Sequence, residues 1–396
     1  MSARSSIRRR GWQQRLWRNI HLWLGIGLFV LLVPVALSGA ILVYHDDIDS
    51  MMRTPRNAQP ARGQIDLPLA IANAKTAAGE GFSPMAVNFP DDNVSPLTIA
   101  LRGQARQDER PVRLTAYIDR NDAHVLSIVN FRDTFFGFMH VFHENLTIPF
   151  YYGRDIVGWT GVAMLTLALT GLYLWWPRHG QWRRAFGWRR SPATSSNLHV
   201  MTGFWICFPL AFLSLTGIYL AWPQQGRAVL SSMVPMTAQQ QRGGGGGGGG
   251  AQAAANPQRS LQEVYASAAE RPNSHVAAIV FPQSGAWRVQ LREDGKIEPT
   301  TITINDRSGA VSVVEPLAGD RVQLWIRRLH EGNYAGEIWR LVVFLSGIMP
   351  AVLGVTGILV WLRQRRQRRL MNARDHGSSR QASPPAGAVG DSAPAE

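Results

Sequence analysis

Cysteine is almost missing from this chain: Cys207 is the only one in 396 residues. One cysteine excludes an intramolecular disulfide, a C-x-x-C-H site for covalent haem and an iron–sulfur cluster held by four thiolates of one chain. Other chemical signatures are absent too. The sequence has no Walker A loop, no G-x-G-x-x-G after a strand, no G-x-S-x-G, no H-E-x-x-H and no paired carboxylates. The eight glycines at 243–250 lack the strand, lysine and helix that frame a phosphate loop. Nucleotide hydrolysis, a resident nicotinamide or flavin domain, and serine or zinc hydrolysis are thereby excluded as readings. Acidic charge is also scarce, with 27 Asp and Glu against 41 Lys and Arg and a net charge of +14. That balance does not point to nucleic acid. The basic residues gather at 4–18, 178–190 and 363–369, each beside an apolar run, which is how a membrane protein marks its cytoplasmic side and meets anionic lipid.

What the chain does have is four uncharged runs, Leu22–Tyr44, Ile156–Trp176, Leu198–Trp222 and Leu341–Leu362. Each is long enough to cross a hydrocarbon core of about 30 Å as a helix. Trp175, Trp176, Trp222 and Trp361 stand at run ends, where interfacial aromatics belong. The first run has a basic n-region, but it is too long for a signal peptide and no A-x-A-like site follows.

The runs repeat. NIHLWLG at 19–25 is answered by NLHVMTG at 197–203, and His21 to Gly39 spans the same 18 residues as His199 to Gly217. FHEN at 142–145 is answered by LHEG at 329–332, and the runs that follow end TGLYLWW and TGILVWL. The segments between the runs repeat as well. LPLAIANAKTA at 67–77 corresponds to SLQEVYASAAE at 260–270 as an amphipathic helix, and alternating apolar residues around Asp306-Arg307-Ser308-Gly309 read as a hairpin. The expected fold is therefore membrane α-helical, with four transmembrane helices as two pseudo-symmetric repeats and two outer α+β modules. The expected order is a basic cytoplasmic N-terminus (1–20), helix 1 (21–45), module 1 (46–139), a histidine segment with helix 2 (140–177) and a basic cytoplasmic loop (178–197). Helix 3 (198–222), a Gln/Gly-rich linker (223–258), module 2 (259–325), a histidine segment with helix 4 (326–362) and a basic, then disordered cytoplasmic tail (363–396) follow.

Histidine carries the candidate chemistry. His21 and His199 each open a membrane run, with Gly25 or Gly203 one turn further on the same face. Glycine there leaves room for a macrocycle, and Gly39 and Gly217 repeat that allowance at the other end. A bland reading makes the glycines a tight helix contact and the histidines interfacial. Matching positions in two repeats favour the other reading, in which two facing imidazoles hold one haem iron. His143 and His330, each followed by Glu, form the second candidate pair, with His45 and His140 as neighbours or substitutes. His21 and His45 lie about 36 Å apart along a helix, so two sets of ligands imply two cofactors. A local zinc site of His140, His143 and Glu144 is the weaker metal reading. Arg154 and Arg340 lie at outer helix ends, where topology does not require them, and are candidates for haem propionates.

The His-x₃-Gly openings, the T-G-[LI]-x-[LV]-W endings, the FHE and LHE segments and the two helix-plus-strand modules resemble the PepSY-associated transmembrane family over roughly residues 12–362. That family includes iron-regulated inner-membrane proteins and ferric-siderophore reductases. The resemblance implies PepSY-like periplasmic modules and one or two non-covalent b haems on His21, His199, His143 and His330. It implies a bacterial inner-membrane location with both termini cytoplasmic. The implied activity is electron transfer from a cytoplasmic or quinone donor to a ferric siderophore or other ferric chelate in the periplasm. A regulator that binds peptide or protease through strand edges is the alternative. A siderophore transporter fits least, since the runs carry almost no interior charge.

Overall fold

The computed structural model describes residues 3–52, 60, 63, 65–103, 112–148, 152–176, 194–237, 257–282, 285–294, 299–333 and 335–381. The glycine run at 243–250 and residues 177–193 lie outside them. Three helices are long and apolar enough to cross a membrane: Tyr152–Trp175, Thr194–Ala221 and the Gly336–Ala373 part of a 46-residue helix, Gly336–Gln381. The first apolar run departs from the expected single helix. It forms α1 (Ala3–Gly27) and α2 (Phe29–Val43), bent by 70° at Leu28, and the pair counts as a fourth span only if taken together. Gly25 and Gly27 precede the bend, and glycine weakens a helix where it lacks side-chain packing. Pro34 lies inside α2, where it removes a further backbone donor. A short helix, α3 (His45–Met52), follows.

Between these runs stand a helix and four strands, twice. The first set is α4 (Leu67–Ala78) with β1 (Phe82–Asn88), β2 (Leu97–Gly103), β3 (Arg113–Ile118) and β4 (Val125–Asn130). Asp66 accepts from the Leu69 amide and caps α4, with Pro68 in its first turn. After α5 (Phe135–Asn145), α6 (Tyr152–Trp175), α7 (Thr194–Ala221) and α8 (Pro223–Met233) comes the second set. It consists of α9 (Leu261–Ala269) with β5 (Ser274–Val280), β6 (Ala286–Glu293), β7 (Thr300–Asn305) and β8 (Val311–Val314). Ser260 and Glu263 close a capping box on α9. The last elements are α10 (Ala318–Glu331) and α11 (Gly336–Gln381).

The eight strands form one antiparallel sheet in the order β4-β3-β2-β1-β5-β6-β7-β8. It reads the same outward from its central seam. There Ala86, Val87 and Asn88 pair with Val280, Ile279 and Ala278. Both seam strands change register at one step, between Pro84 and Ala86 and between Val276 and Ala278. The residues skipped there reach across the seam: the Phe281 amide donates to the Met85 carbonyl and the Phe89 amide to the Ala277 carbonyl, each at 2.9 Å. Alternating residues of β2, β3, β6 and β7 point to one face, where Leu67, Ala70 and Ala74 of α4 and Leu261, Val264 and Ala268 of α9 cover them. Trp287 is wholly buried in that core, and its indole N–H donates to Asp306 at 2.8 Å. Sharing a core lets two small half-sheets avoid the marginal stability each would have alone.

Two expected irregular segments are helical. Residues 223–233 of the expected linker form α8, because Pro223 starts the helix and no glycine follows Gly226 before its end. The tail beyond 371 continues α11 to Gln381, extending the helix-favouring Arg-, Gln- and Leu-rich stretch at 363–371.

Two histidine pairs on hydroxyl and glycine seats

One Ser-Gly or Thr-Gly step of each membrane-length run lies against a histidine: Ser38-Gly39 on α2, Thr170-Gly171 on α6, Thr216-Gly217 on α7 and Thr356-Gly357 on α11. Each step seats one histidine. His21 of α1 sits on Thr170, with Nδ1 at 2.9 Å from the hydroxyl oxygen. His199 of α7 sits on Thr356, where Nδ1 is 3.1 Å from both the hydroxyl and the Leu353 carbonyl. His143 of α5 sits on Ser38, at 3.2 Å from its hydroxyl and 2.9 Å from the Val35 carbonyl. His330 of α10 sits on Thr216 at 2.9 Å.

The glycine of each step lets the ring lie against the helix. A Cβ at Gly39 would come within 2.7 Å of the His143 Cε1, and one at Gly217 within 3.1 Å of the His330 Cε1. The corresponding approaches are 3.3 Å for Gly171 to His21 and 3.2 Å for Gly357 to His199. Gly39 and Gly217 therefore make room for an imidazole ring rather than directly for a macrocycle. Gly25 and Gly203 have only Leu167 and Leu353 nearby, both at an ordinary 3.7 Å.

The seats also decide the tautomer. The single hydroxyl proton of Thr170 goes to the Thr166 carbonyl at 2.6 Å, and that of Thr356 to Val352 at 2.7 Å. Thr216 donates to Phe212 at 3.0 Å and Ser38 to Val35 at 2.8 Å. With its proton spent on a carbonyl, each hydroxyl can only accept from the imidazole. The carbonyls of Val35 and Leu353 can only accept as well. Nδ1 is therefore the protonated nitrogen of all four rings, and Nε2 keeps its lone pair. Among the described residues Nε2 of these four rings has no hydrogen-bond partner.

The four rings form two pairs. His21 and His199 lie 6.3 Å apart between ring centres with planes at 85°. His143 and His330 lie 6.3 Å apart with planes at 46°. All four residues are half-buried. Burial holds the His143 pKa below the ordinary imidazole value, and burial followed by the neighbouring His143 lowers that of His330 to about 4. Both are neutral near pH 7, as a metal-binding imidazole must be.

A family model for the PepSY-associated TM region matches residues 18–364. The chain belongs to this family. It is accordingly a membrane protein, with helices of spanning length joined to an antiparallel sheet. No curated protein matches it.

In this PepSY-associated protein the other candidate residues are engaged locally. His45 donates from Nδ1 to the Leu42 carbonyl at 2.8 Å, and its Nε2 stands 3.0 Å from Asp46, with the ring against Phe136. His140 pairs with Glu144 at 3.4 Å, which raises the His140 pKa and lowers that of Glu144. Neither ring faces another imidazole among the described residues. Arg154 donates to the Leu220 carbonyl at 3.0 Å. Arg340 lies over the Tyr44 ring and binds the Val43 carbonyl, Asp47 and Glu337. Both guanidiniums thus tie helix ends together, and any propionate would have to compete with those partners. A separate group of Asp119, Asp122 and His124 offers three ligand atoms at the β3–β4 turn. The sequence shows a Ser-Gly or Thr-Gly step late in the repeated runs, but only the fold shows that each of these hydroxyls seats a distant histidine.

Proposed function

We propose that the chain is a b-type haem oxidoreductase of the bacterial inner membrane, with His21 and His199 holding one haem and His143 and His330 a second. The observation that carries this reading is the state of the four imidazoles. An imidazole nitrogen binds a first-row metal ion at about 2 Å, so two rings facing one iron stand about 6 Å apart between centres. Both pairs do, at 6.3 Å. All four rings present Nε2 as the basic nitrogen while Nδ1–H is held by a hydroxyl or carbonyl, the outer-sphere support that metal-bound histidines use. Residues that were merely packed would have no reason to repeat this support four times. When bound, haem would supply one-electron transfer; the four histidines would hold it through Nε2, and the protein would supply position and a low-dielectric surround.

In this reading the four spans form two pseudo-symmetric repeats, and the two halves of the sheet are two PepSY-like modules on the periplasmic side. The basic residues beside the spans, including Arg363, Arg365, Arg366, Arg368 and Arg369 on α11, support a cytoplasmic side for both termini. Electrons pass from a cytoplasmic or quinone donor to ferric iron outside, held by a siderophore or another chelate. Reduction weakens the grip of hard oxygen ligands on the iron, which releases it. The chain's residues do no acid–base or nucleophilic chemistry in this scheme. Replacing His199 by Ala tests it: the purified variant should lose the haem of the first pair, and wild-type haem content would refute the paired-ligand assignment.

One observation supports a second reading. β8 ends the sheet, and its four residues are all exposed. An open edge of this kind can accept an added strand from a peptide or protease, as a non-catalytic regulator would require. A colourless protein made with haem supplied would favour it.

A further inference from the structure

α5 and α10 carry the same pattern 187 residues apart. Phe135, Phe138, Met139 and Phe142 of α5 correspond to Val322, Trp325, Ile326 and Leu329 of α10, at i, i+3, i+4 and i+7, which is one helix face. The histidine follows at once, His143 in one and His330 in the other. The far half of each stripe is exposed: Phe135 and Phe138 are 57% and 49% exposed, Val322 and Trp325 40% and 46%. The near half, Met139 with Phe142 and Ile326 with Leu329, is half-buried. The opposite face of each helix carries an i,i+4 polar pair, His140 with Glu144 and Arg327 with Glu331.

Water is a poor partner for two apolar stripes of this size. Chain connectivity says what covers them. Residues 332–335 alone separate α10 from α11, and residues 146–151 separate α5 from α6; both following helices are candidate spans. Each stripe helix is therefore tethered at the membrane surface. α8 shows the same placement after α7, with Val229 and Met233 exposed and Arg227 bonded to Gln323 of α10 at 2.8 Å. We propose that α5 and α10 lie flat in the outer membrane–water boundary, with Phe135, Phe138, Val322 and Trp325 inserted among lipid and the polar pairs turned to water. The partner is the lipid surface itself, in the manner of interfacial amphipathic helices with an aromatic edge. The consequence for the second histidine pair is a fixed depth: its two carriers are anchored at headgroup level. The inference rests on the membrane assignment and not on haem.

The test places an environment-sensitive fluorophore on single cysteines in a Cys207→Ser background of the full chain, in phosphatidylcholine liposomes. Trp325→Cys and Phe138→Cys probe the two stripes independently, so that misfolding of one leaves the other; Arg327→Cys probes the polar face. The stripe labels should show blue-shifted emission, loss of iodide quenching and strong quenching by nitroxide-labelled lipid, and the Arg327→Cys label the reverse. Iodide quenching of the stripe labels would overturn the proposal. Protection from both quenchers would overturn it as well, because protein and not lipid would then cover the stripes. Neither readout depends on haem content, so failure here is separable from failure of the oxidoreductase reading.

Discussion

The two histidine pairs reach one separation from different carriers. In the first pair, His21 and His199 stand on α1 and α7, at the start of apolar runs. In the second, His143 and His330 stand on α5 and α10, short helices outside the spans. Yet both pairs close to 6.3 Å, and all four rings rest on a hydroxyl and a glycine from a membrane-length run. The seat, not the helix that bears the histidine, is the constant part. Within each pair there is also an asymmetry. His199 and His143 have a carbonyl at 3.1 and 2.9 Å beside the hydroxyl, while His21 and His330 lean mainly on the hydroxyl, with the Leu167 and Leu213 carbonyls as weaker acceptors.

The comparison breaks most plainly if the pairs are not independent. His330→Ala should remove one haem and leave the other, with the pyridine haemochrome value per chain falling to about half, since each bis-histidine site stands on its own ligands. Loss of both would mean that the pairs fold or load as one unit. A finer test uses the glycines. Gly39→Ala puts a methyl 2.7 Å from His143, whereas Gly171→Ala meets His21 at 3.3 Å, where small shifts suffice. The first should deplete the second haem substantially and the second should leave the first haem nearly intact, read from the same assay. A partial effect is expected from the hydroxyls. Thr170→Val and Thr216→Val remove the near acceptor of His21 and His330 and should weaken haem retention by about tenfold, the usual effect of an outer-sphere partner. Ser38→Ala and Thr356→Val leave the Val35 and Leu353 carbonyls in place and should do less. Haem dissociation to apomyoglobin would rank the four, and equal rates would remove the asymmetry.

Much of this was legible in the letters. The repeated His-x₃-Gly and the two His-Glu segments marked the four imidazoles, and hydrophobic length marked the spans. The alternation in β2 and β6 marked strands. The seats were not readable, because each hydroxyl meets a histidine more than 100 residues away: 149 for Thr170, 157 for Thr356, 105 for Ser38 and 114 for Thr216. Period and propensity describe a residue's own helix and say nothing of such a partner. The β1–β5 seam escaped for the same reason, since either half-sheet satisfies its own pattern without the other. The bend at Leu28 escaped because the run is apolar on both sides of it, and hydropathy does not register direction. Arg154 and Arg340 drew attention as unexplained charges, but their carbonyl and carboxylate partners come from distant segments.

The central proposal is that four imidazoles with Nε2 free of hydrogen bonds among the described residues make two haem sites. A dithionite-reduced minus oxidised spectrum of the purified full chain, with a pyridine haemochrome assay, tests it most directly. The account predicts a low-spin b-type spectrum with about two haems per chain. Protein made with haem supplied that shows no haem signal would contradict it.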